Sequence, residues 1–171
     1  HYESSEAFQY QGRNIKIHLL ITGVGMVHTA YSLGRYLAFE KPQLLINAGI
    51  AGAFNEKLTI GEVVNVVSER FADLGVEEGD SRFTDIHELG LIDQNQFPYI
   101  QGQLWSEDGK ANPCLPQVQG LTVNKGHGTA ASIAAIQKKY KADVESMEGA
   151  SVFLACLTEQ VPFLEIRSIS N

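Results

Sequence analysis

The feature that most constrains the fold of this chain is a recurring order of segments. An apolar run of strand length ends in a glycine-containing turn, and apolar residues at helical spacing follow. Residues 15–22 form one such run, the turn TGVG at residues 22–25 follows, and apolar residues then recur at helical spacing over residues 26–37. The same order recurs at residues 120–140, where Thr129 is expected to cap the helix, and at residues 143–157, where a wide apolar stripe predicts a deeply buried helix. A strand that leads through a tight turn into a helix is the building unit of α/β folds, so we expect a sheet flanked by helices.

Further strand-like runs complete this pattern. Residues 8–11 and 15–22 are β-like, and Gly12-Arg13-Asn14 between them indicates a hairpin turn. The strand at 15–22 becomes continuously apolar, as if it passed from a sheet edge into a core. Three more apolar runs lie at residues 42–47, 63–67 and 162–169. We expect residues 1–171 to form a single α/β domain, a three-layer αβα arrangement around a mixed, largely parallel central sheet.

Composition excludes several classes of function. Apolar residues make up 44% and charged residues 19%, as in ordinary globular proteins. The net charge of −7 without a basic cluster argues against a nucleic-acid partner. Apolar runs fall far short of the roughly 20 residues that span a bilayer, so no membrane partner is expected. Two cysteines, Cys114 and Cys156, are too few for a disulfide framework, and a cytoplasmic location fits.

Residues 75–119 differ from the rest because they show no sustained period. They predict a long irregular loop, which in a compact domain is usually functional. Asp85, His87 and Glu88 invite a metal-site interpretation, but their spacing does not place three ligands on one side of an element, so no metal is expected. Trp105 either anchors this loop to the body of the fold or lines a pocket.

The ends of three strands are expected to build the functional site. The strands at 43–47, 142–146 and 162–169 should run parallel if helices connect them. Ligands of α/β folds are held at the carboxyl ends of such strands. That edge would gather Ala51, Gly52, Met147, Glu148, Ser170 and Asn171.

Glu148 and Asn171 have the chemistry that a ligand at this edge would need. A carboxylate can accept two hydrogen bonds from a vicinal diol such as ribose, although an acid at this position is also explained by the dipole of the following helix. Asn171 offers an amide donor and a carbonyl acceptor, which together can pair with the edge of a heterocycle. The small residues Ala51 and Gly52 either expose backbone N–H groups to a cavity or form a tight turn under a neighbouring element.

Two other turns remain open in function. The turn at residues 22–25 suits close packing or contact with a ligand, and the helix after it would favour an anion. It lacks the third glycine and the downstream acid of a dinucleotide-binding fingerprint, which disfavours an oxidoreductase. His127 lies between a strand and a helix, where it is either incidental or in contact with a ligand.

Four segments together resemble the purine nucleoside phosphorylase/nucleosidase superfamily. They are TGVG at 22–25, NAGIAG at 47–52, VESMEGA at 144–150 and IRSISN at 166–171. Within that superfamily the chain is most similar to the futalosine hydrolases, because of FADLGVEE at 71–78 and of SISN at 168–171, where methylthioadenosine/S-adenosylhomocysteine nucleosidases typically carry Ser-Asp.

The resemblance implies a nucleoside phosphorylase-like fold and hydrolysis of the N-ribosidic bond of futalosine, in the alternative menaquinone pathway, to hypoxanthine and dehypoxanthinyl futalosine. It implies that Asn171 stabilises the leaving purine, that Glu148 holds the ribose hydroxyls, and that Ala51, Gly52 and Met147 pack around the substrate. It also implies no cofactor and a homo-oligomer, a dimer or larger. We expect the family's first strand, with its water-activating acid, and its C-terminal helix to lie outside residues 1–171.

Three alternatives accompany this prediction. A methylthioadenosine/S-adenosylhomocysteine nucleosidase would use the same site on a 6-aminopurine. A purine nucleoside phosphorylase is disfavoured by Ile50, which stands where phosphorylases often carry a phosphate-binding serine. A catalytically silent purine-binding domain is the third alternative.

Overall fold

The computed structural model describes residues 3–10, 13–79 and 82–171. Its strands are β1 (Glu3–Tyr10), β2 (Arg13–Leu20), β3 (Leu45–Ala53), β4 (Val63–Glu69), β5 (Gly75–Glu77), β6 (Phe83–Asp85), β7 (Leu104–Trp105), β8 (Gln117–Thr122), β9 (Val144–Ser146) and β10 (Phe163–Ile169). Its helices are α1 (Met26–Leu37), α2 (Glu107–Ala111), α3 (Ala130–Tyr140) and α4 (Gly149–Glu159).

The N-terminal hairpin is confirmed, but its surroundings differ from the prediction. β1 and β2 pair antiparallel from Glu3 opposite Leu20 to Tyr10 opposite Arg13. Arg13 and Asn14, predicted in the turn, belong to β2, and Gly12 lies outside the described residues. The two strands form a sheet of their own. The expectation that β2 enters the core holds only at its last residue, since Leu20 packs against the hydrophobic core, whereas Ile17 is 52% exposed and the neighbouring apolar side chains before Leu20 are exposed as well.

The central sheet is mixed, as predicted, and it also closes on itself. Its strand order is β10-β3-β9-β8-β4-β7, and β10 additionally pairs with β4. β10 and β3 run parallel, and so do β4, β8 and β9. The two groups meet antiparallel at β3–β9 and at β10–β4, which turns five strands into a closed ring.

The direction of β9 corrects the sequence-based expectation. The three strands around residues 43–47, 142–146 and 162–169 were expected to share one direction, but β9 runs opposite to β3, with Gly52 opposite Glu145. The reason is topological. Two strands connected by a helix run parallel if they are neighbours in the sheet. Helix α4 connects β9 to β10, but β10 pairs with β3 and β4 and not with β9.

Helices α1 and α4 pack together and cover one side of the ring. Helix α4 is deeply buried, as its apolar stripe predicts: Phe153 and Cys156 are fully inaccessible, and Phe153 stacks edge-on against Phe163 of β10 at 4.7 Å between ring centroids. Helix α3 begins at the predicted cap, where the Thr129 side chain accepts a hydrogen bond from the Ser132 N–H at 3.2 Å. These two helices fix the loops that enter and leave β9.

Residues 75–119 are more regular than expected. The prediction of an irregular loop is wrong for β5, β6, β7 and α2, all of which lie within it. Trp105 belongs to β7, which pairs with β4 at Ser68, and the Lys110 ammonium lies 4.4 Å from the centroid of its ring. Trp105 thus anchors this segment to the central sheet. Over the described ranges, every helix is too short or too polar to cross a bilayer.

Candidate active site

Glu148 stands at the N-terminus of α4, and its side chain contacts the first glycine turn. Its Oε1 accepts a hydrogen bond from the backbone N–H of Gly25 at 2.9 Å. Gly25 is the N-cap of α1 and has a φ of 86°, a conformation that favours glycine. The prediction that this helix end favours an anion is met by the protein's own carboxylate. The turn at 22–25 and the run at 144–150 therefore belong to one site.

Arg167 of β10 faces the other oxygen of that carboxylate. Its Nη1 lies 3.9 Å from Glu148 Oε2, and its Nε donates to Glu165 Oε1 at 2.8 Å. Arg167 packs across Gly49, the residue opposite it on β3, and a Cβ at Gly49 would overlap the guanidinium. Glycine at 49 is thus what allows the guanidinium to lie flat against β3.

Two fully buried carboxyl groups continue this network into the ring. Glu165 and Glu69 are 0% and 1% exposed, and Glu69 Oε2 accepts a hydrogen bond from Thr122 Oγ1 at 2.8 Å. Thr122 Oγ1 in turn accepts from the N–H of Ala150, in the first turn of α4. The buried start of α4 is thus bonded to Glu69 through Thr122, while the partly buried Glu148 contacts the Arg167–Glu165 pair.

Burial and mutual repulsion set the charges in this network. Burial, together with the negative charge of Glu165, raises the pKa of Glu69 well above its usual range. Burial also raises the pKa of Glu165, although Arg167 opposes that shift. Burial acts to lower the pKa of Arg167, but the nearby carboxylates outweigh it and raise the pKa further. Of the two buried carboxyl groups, Glu69 has the more strongly raised pKa, whereas Glu165 pairs with Arg167, which also faces Glu148.

Asn171 lies at the carboxyl end of β10, over Gly52. A Cβ at Gly52 would lie 3.3 Å from Asn171 Nδ2, and the Asn171 carbonyl accepts a hydrogen bond from the Ala53 N–H at 2.9 Å. Asn171 Oδ1 accepts from Ser170 Oγ at 2.8 Å. This orients the amide with its oxygen toward Ser170.

The remaining predicted residues have different surroundings. Ala51 is 2% exposed and belongs to the hydrophobic core, so only its backbone could meet a ligand, and its carbonyl already accepts from Ser170. Gly52 is half-buried beside Asn171. Met147 is half-buried immediately before Glu148.

The structure separates two groups that the sequence placed at a single edge. Glu148 faces Arg167 in the middle of β10, whereas Asn171 follows the end of that strand. Arg167 and Asn171 are four positions apart, which corresponds to about 13 Å of extended chain. One end of the candidate site therefore offers a carboxylate and a guanidinium, and the other an amide over a glycine.

A histidine and a carboxylate border the amide end. His127 Nδ1 lies 2.7 Å from Glu145 Oε2, and the His127 N–H donates to Glu145 Oε1 at 2.8 Å. Glu145 lies opposite Gly52 in the β3–β9 pair, and its Cγ would be 3.6 Å from a Cβ at Gly52. His127 is thus more than an incidental loop residue, since it is held beside the predicted base end of the site.

A separate polar cavity of about 670 Å³ shares no residue with either group. Asp85 in its wall accepts hydrogen bonds from the N–H groups of His87 and Glu88 and from the Tyr140 hydroxyl. Glu88 also pairs with Lys139. The acidic groups here are occupied by protein donors, and the described part of the chain contains no cluster of three or more metal-ligating side chains.

Comparison with known proteins decides the family. The sequence profile of the phosphorylase superfamily matches residues 4–171. The chain belongs to this superfamily. It is 32% identical over 158 residues to futalosine hydrolase from Thermus thermophilus, covering 89% of this chain and 68% of the relative. It is 30% identical over 167 residues to 5′-methylthioadenosine/S-adenosylhomocysteine nucleosidase from Maridesulfovibrio salexigens, covering 92% and 68%.

Solved structures of superfamily members share the fold. The nucleosidase of Neisseria meningitidis, in complex with methylthio-immucillin-A, superimposes with a TM-score of 0.72 at 19% identity over 99% of this chain and 73% of that one. A futalosine hydrolase mutant of Helicobacter pylori gives 0.70 at 20% identity over 98% and 75%. The predictions of a nucleoside phosphorylase-like α/β fold and of an enzyme of the nucleosidase type are therefore confirmed.

Sequence reasoning missed most of the polar network around Glu148. Arg167 and Glu165 received no role, although both lie on the same phase of β10 as the apolar residues Phe163 and Ile169. Charged residues on the buried phase of a strand must be paired, and that alternation could have revealed them. Glu69 carried no comparable signal, because it ends a strand where an exposed acid is ordinary.

Proposed function

We propose that the protein hydrolyses the N-ribosidic bond of futalosine and releases hypoxanthine. The observation that carries the proposal is an asparagine at position 171, whose amide lies over Gly52 with its oxygen turned toward Ser170. In this orientation Nδ2 can donate to the O6 of a 6-oxopurine, and the second lone pair of Oδ1 can accept from a protonated N7. The amino group of a 6-aminopurine would instead direct a hydrogen-bond donor at Nδ2, which is itself a donor.

The ribose end of the site supports the same substrate class. Glu148 would accept hydrogen bonds from the two ribose hydroxyls, oriented by the Gly25 N–H and by Arg167. As the C1′–N9 bond breaks, positive charge develops on the sugar, and a fixed carboxylate nearby stabilises it. The backbone of Ala51 and Gly52 and the side chain of Met147 would pack against purine and sugar, while water attacks C1′.

A methylthioadenosine/S-adenosylhomocysteine nucleosidase is the second candidate, because a relative of that name matches at 30% identity, close to the 32% of the futalosine hydrolase. Discrimination would rest on hydrogen bonding at position 171. Asn171 is exposed and would be covered by the bound purine. A mismatched pair buried in this way costs about 1–3 kcal/mol, so we expect a preference of roughly ten- to a hundredfold for the 6-oxopurine.

The test supplies the purified protein with futalosine, methylthioadenosine and inosine, with and without phosphate. Release of hypoxanthine from futalosine without phosphate is expected. Adenine release from methylthioadenosine in preference, or strict dependence on phosphate, would overturn the proposal.

The variant Asn171→Asp tests the role of the amide. It should lower kcat/KM for futalosine by more than for methylthioadenosine, because a carboxyl group no longer offers an N–H donor to O6. If activity on the two substrates falls by the same factor, Asn171 does not select the base. Asn95→Asp, at an exposed position between β6 and β7, is the matched control, because it makes the same amide-to-carboxyl change away from the site.

A further inference from the structure

The loop between β8 and α3 holds His127 in an unusually constrained position. One residue engages both oxygens of Glu145, through its backbone N–H and through its ring Nδ1. The two side chains are only 16% and 9% exposed. The ring of Phe54 lies 6.2 Å away between centroids and supports the imidazole from the β3 side. Such bonding fixes the orientation of the ring and uses Nδ1, so that Nε2 is the nitrogen available to a ligand.

This pair borders the same glycine as Asn171. The Asn171 amide nitrogen and Glu145 Cγ would lie 3.3 Å and 3.6 Å from one Cβ placed on Gly52. A purine contacting Asn171 would therefore have the His127–Glu145 pair as its neighbour. Glu148, at the N-terminus of α4, instead contacts Arg167, which precedes Asn171 by four positions along the chain.

Chemistry at the base end demands a group that can give up a proton. When C1′–N9 breaks, both bonding electrons leave with the purine, which must then be protonated. The amide of Asn171 can donate a hydrogen bond, but it does not transfer its proton. An imidazolium can do so, and the His127 ring is held for this role by Glu145, whose Oε2 lies 2.7 Å from Nδ1.

We propose that His127 is the general acid that protonates the leaving purine and that Glu145 is the positioning residue that orients it. This inference rests on the proposed nucleosidase function. The C1′–N9 bond breaks, its electron pair passes to the purine, and the proton on His127 Nε2 moves to a ring nitrogen of the base. Water adds to C1′ and loses a proton to solvent, from which His127 is reprotonated.

The decisive experiment compares two leaving groups. Futalosine releases a base that needs a proton, whereas para-nitrophenyl β-D-ribofuranoside releases a stable phenolate that needs none. His127→Gln keeps the size and one polar donor of the side chain but has no transferable proton. It should lower kcat for futalosine by roughly 10²- to 10⁴-fold with little change in KM, and leave turnover of the nitrophenyl riboside nearly unchanged.

Two further variants sharpen the result. Glu145→Gln should impair the same substrate by a smaller factor and spare the nitrophenyl riboside. His18→Gln, a histidine bonded to Tyr36 beside α1, should leave both activities unchanged. Retained nitrophenyl activity also demonstrates that each variant is folded.

Equal losses on both substrates would overturn the inference, because they would indicate a structural role for His127. Unchanged hydrolysis of futalosine by His127→Gln would overturn it as well. Wild-type activity on methylthioadenosine alone would overturn only the substrate assignment, and the same comparison is then made with that nucleoside. A wild-type protein inert on every nucleoside would overturn both proposals.

Discussion

Replacing Gly149 by alanine should destabilise the protein, even though alanine is the better helix former. Gly149 is the first residue of α4, and it lies against the two buried carboxyl groups. A Cβ there would overlap Glu69 Oε1, and it would lie 2.6 Å from Glu69 Cδ and 2.7 Å from Glu165 Oε1. Both glutamates are fully buried, so neither can swing into solvent to make room.

The magnitude follows from two opposing effects. Alanine in place of glycine within a helix gains about 0.5–1 kcal/mol. Forcing a methyl group into a filled site costs about 1–3 kcal/mol, and a displaced Glu69 would also lose its bond from Thr122, worth about 1.5–3 kcal/mol for a charged group and less for a neutral one. We expect Gly149→Ala to lower the free energy of unfolding by about 1–3 kcal/mol.

Gly34 provides the matched control. It lies on the exposed face of α1, and a Cβ at this position would meet nothing within 4 Å. Gly34→Ala should therefore raise the free energy of unfolding by about 0.5–1 kcal/mol. The two substitutions are chemically identical, and the structure predicts opposite signs for them.

Urea denaturation followed by far-ultraviolet circular dichroism measures both variants. The double variant Glu69→Ala/Gly149→Ala isolates the cause, because removing the Glu69 carboxyl group makes room for the new methyl group. Gly149→Ala should cost much less in that background than in the wild type. If Gly149→Ala is as stable as Gly34→Ala, or costs the same with and without Glu69, the packing of α4 against the buried carboxyl groups is refuted.

Two further predictions concern buried titratable groups. Because the pKa of Glu69 is raised on folding, the folded protein keeps a proton that the unfolded chain has released, and the free energy of unfolding falls as pH rises above the ordinary carboxyl range. Glu69→Gln should flatten this slope, by up to about 1.4 kcal/mol per pH unit, and identical slopes in urea titrations of variant and wild type would contradict the shift. Burial raises the pKa of the Cys156 thiol to about 12, whereas Cys114 is exposed, so Ellman's reagent should modify one thiol in the native protein and two in denaturant. Rapid modification of both thiols without denaturant would show that α4 is not packed as described.

Local elements were predictable from the sequence because local rules decide them. The apolar stripe of α4 and the Thr129 cap of α3 required only spacing and residue type, and both are present. The direction of β9 was not predictable in this way. Helix α3 connects β8 to β9, and these two strands are parallel as expected. The direction of β9 relative to β3 depends instead on β4, which runs antiparallel to β10 and therefore opposite to β3. The sequence pattern of residues 54–116 does not indicate that β4 runs opposite to β3.

In the candidate site, too, residue types were predictable from the sequence, but their arrangement in space was not. Glu148 and Asn171 could be identified from residue type and from resemblance, and the first of them does contact the Gly25 turn. Their separation along β10 could not be predicted, because it follows from β9 running opposite to β3. The same antiparallel pairing brings Glu145 beside Gly52, which is why His127 acquired a carboxylate partner that its isolated position in the sequence did not suggest.

Arg167 explains why charged groups are tolerated inside this ring. The Arg167 guanidinium is shared between Glu165 within the ring and Glu148 at the site. Without the guanidinium, Glu165 would be a buried and unpaired carboxylate, a change that usually costs 3–5 kcal/mol or so. The same cation would then also be missing beside Glu148. Both the stability of the fold and the orientation of the proposed ribose-binding carboxylate therefore depend on the Arg167 side chain. A substitution at position 167 should change the two properties together.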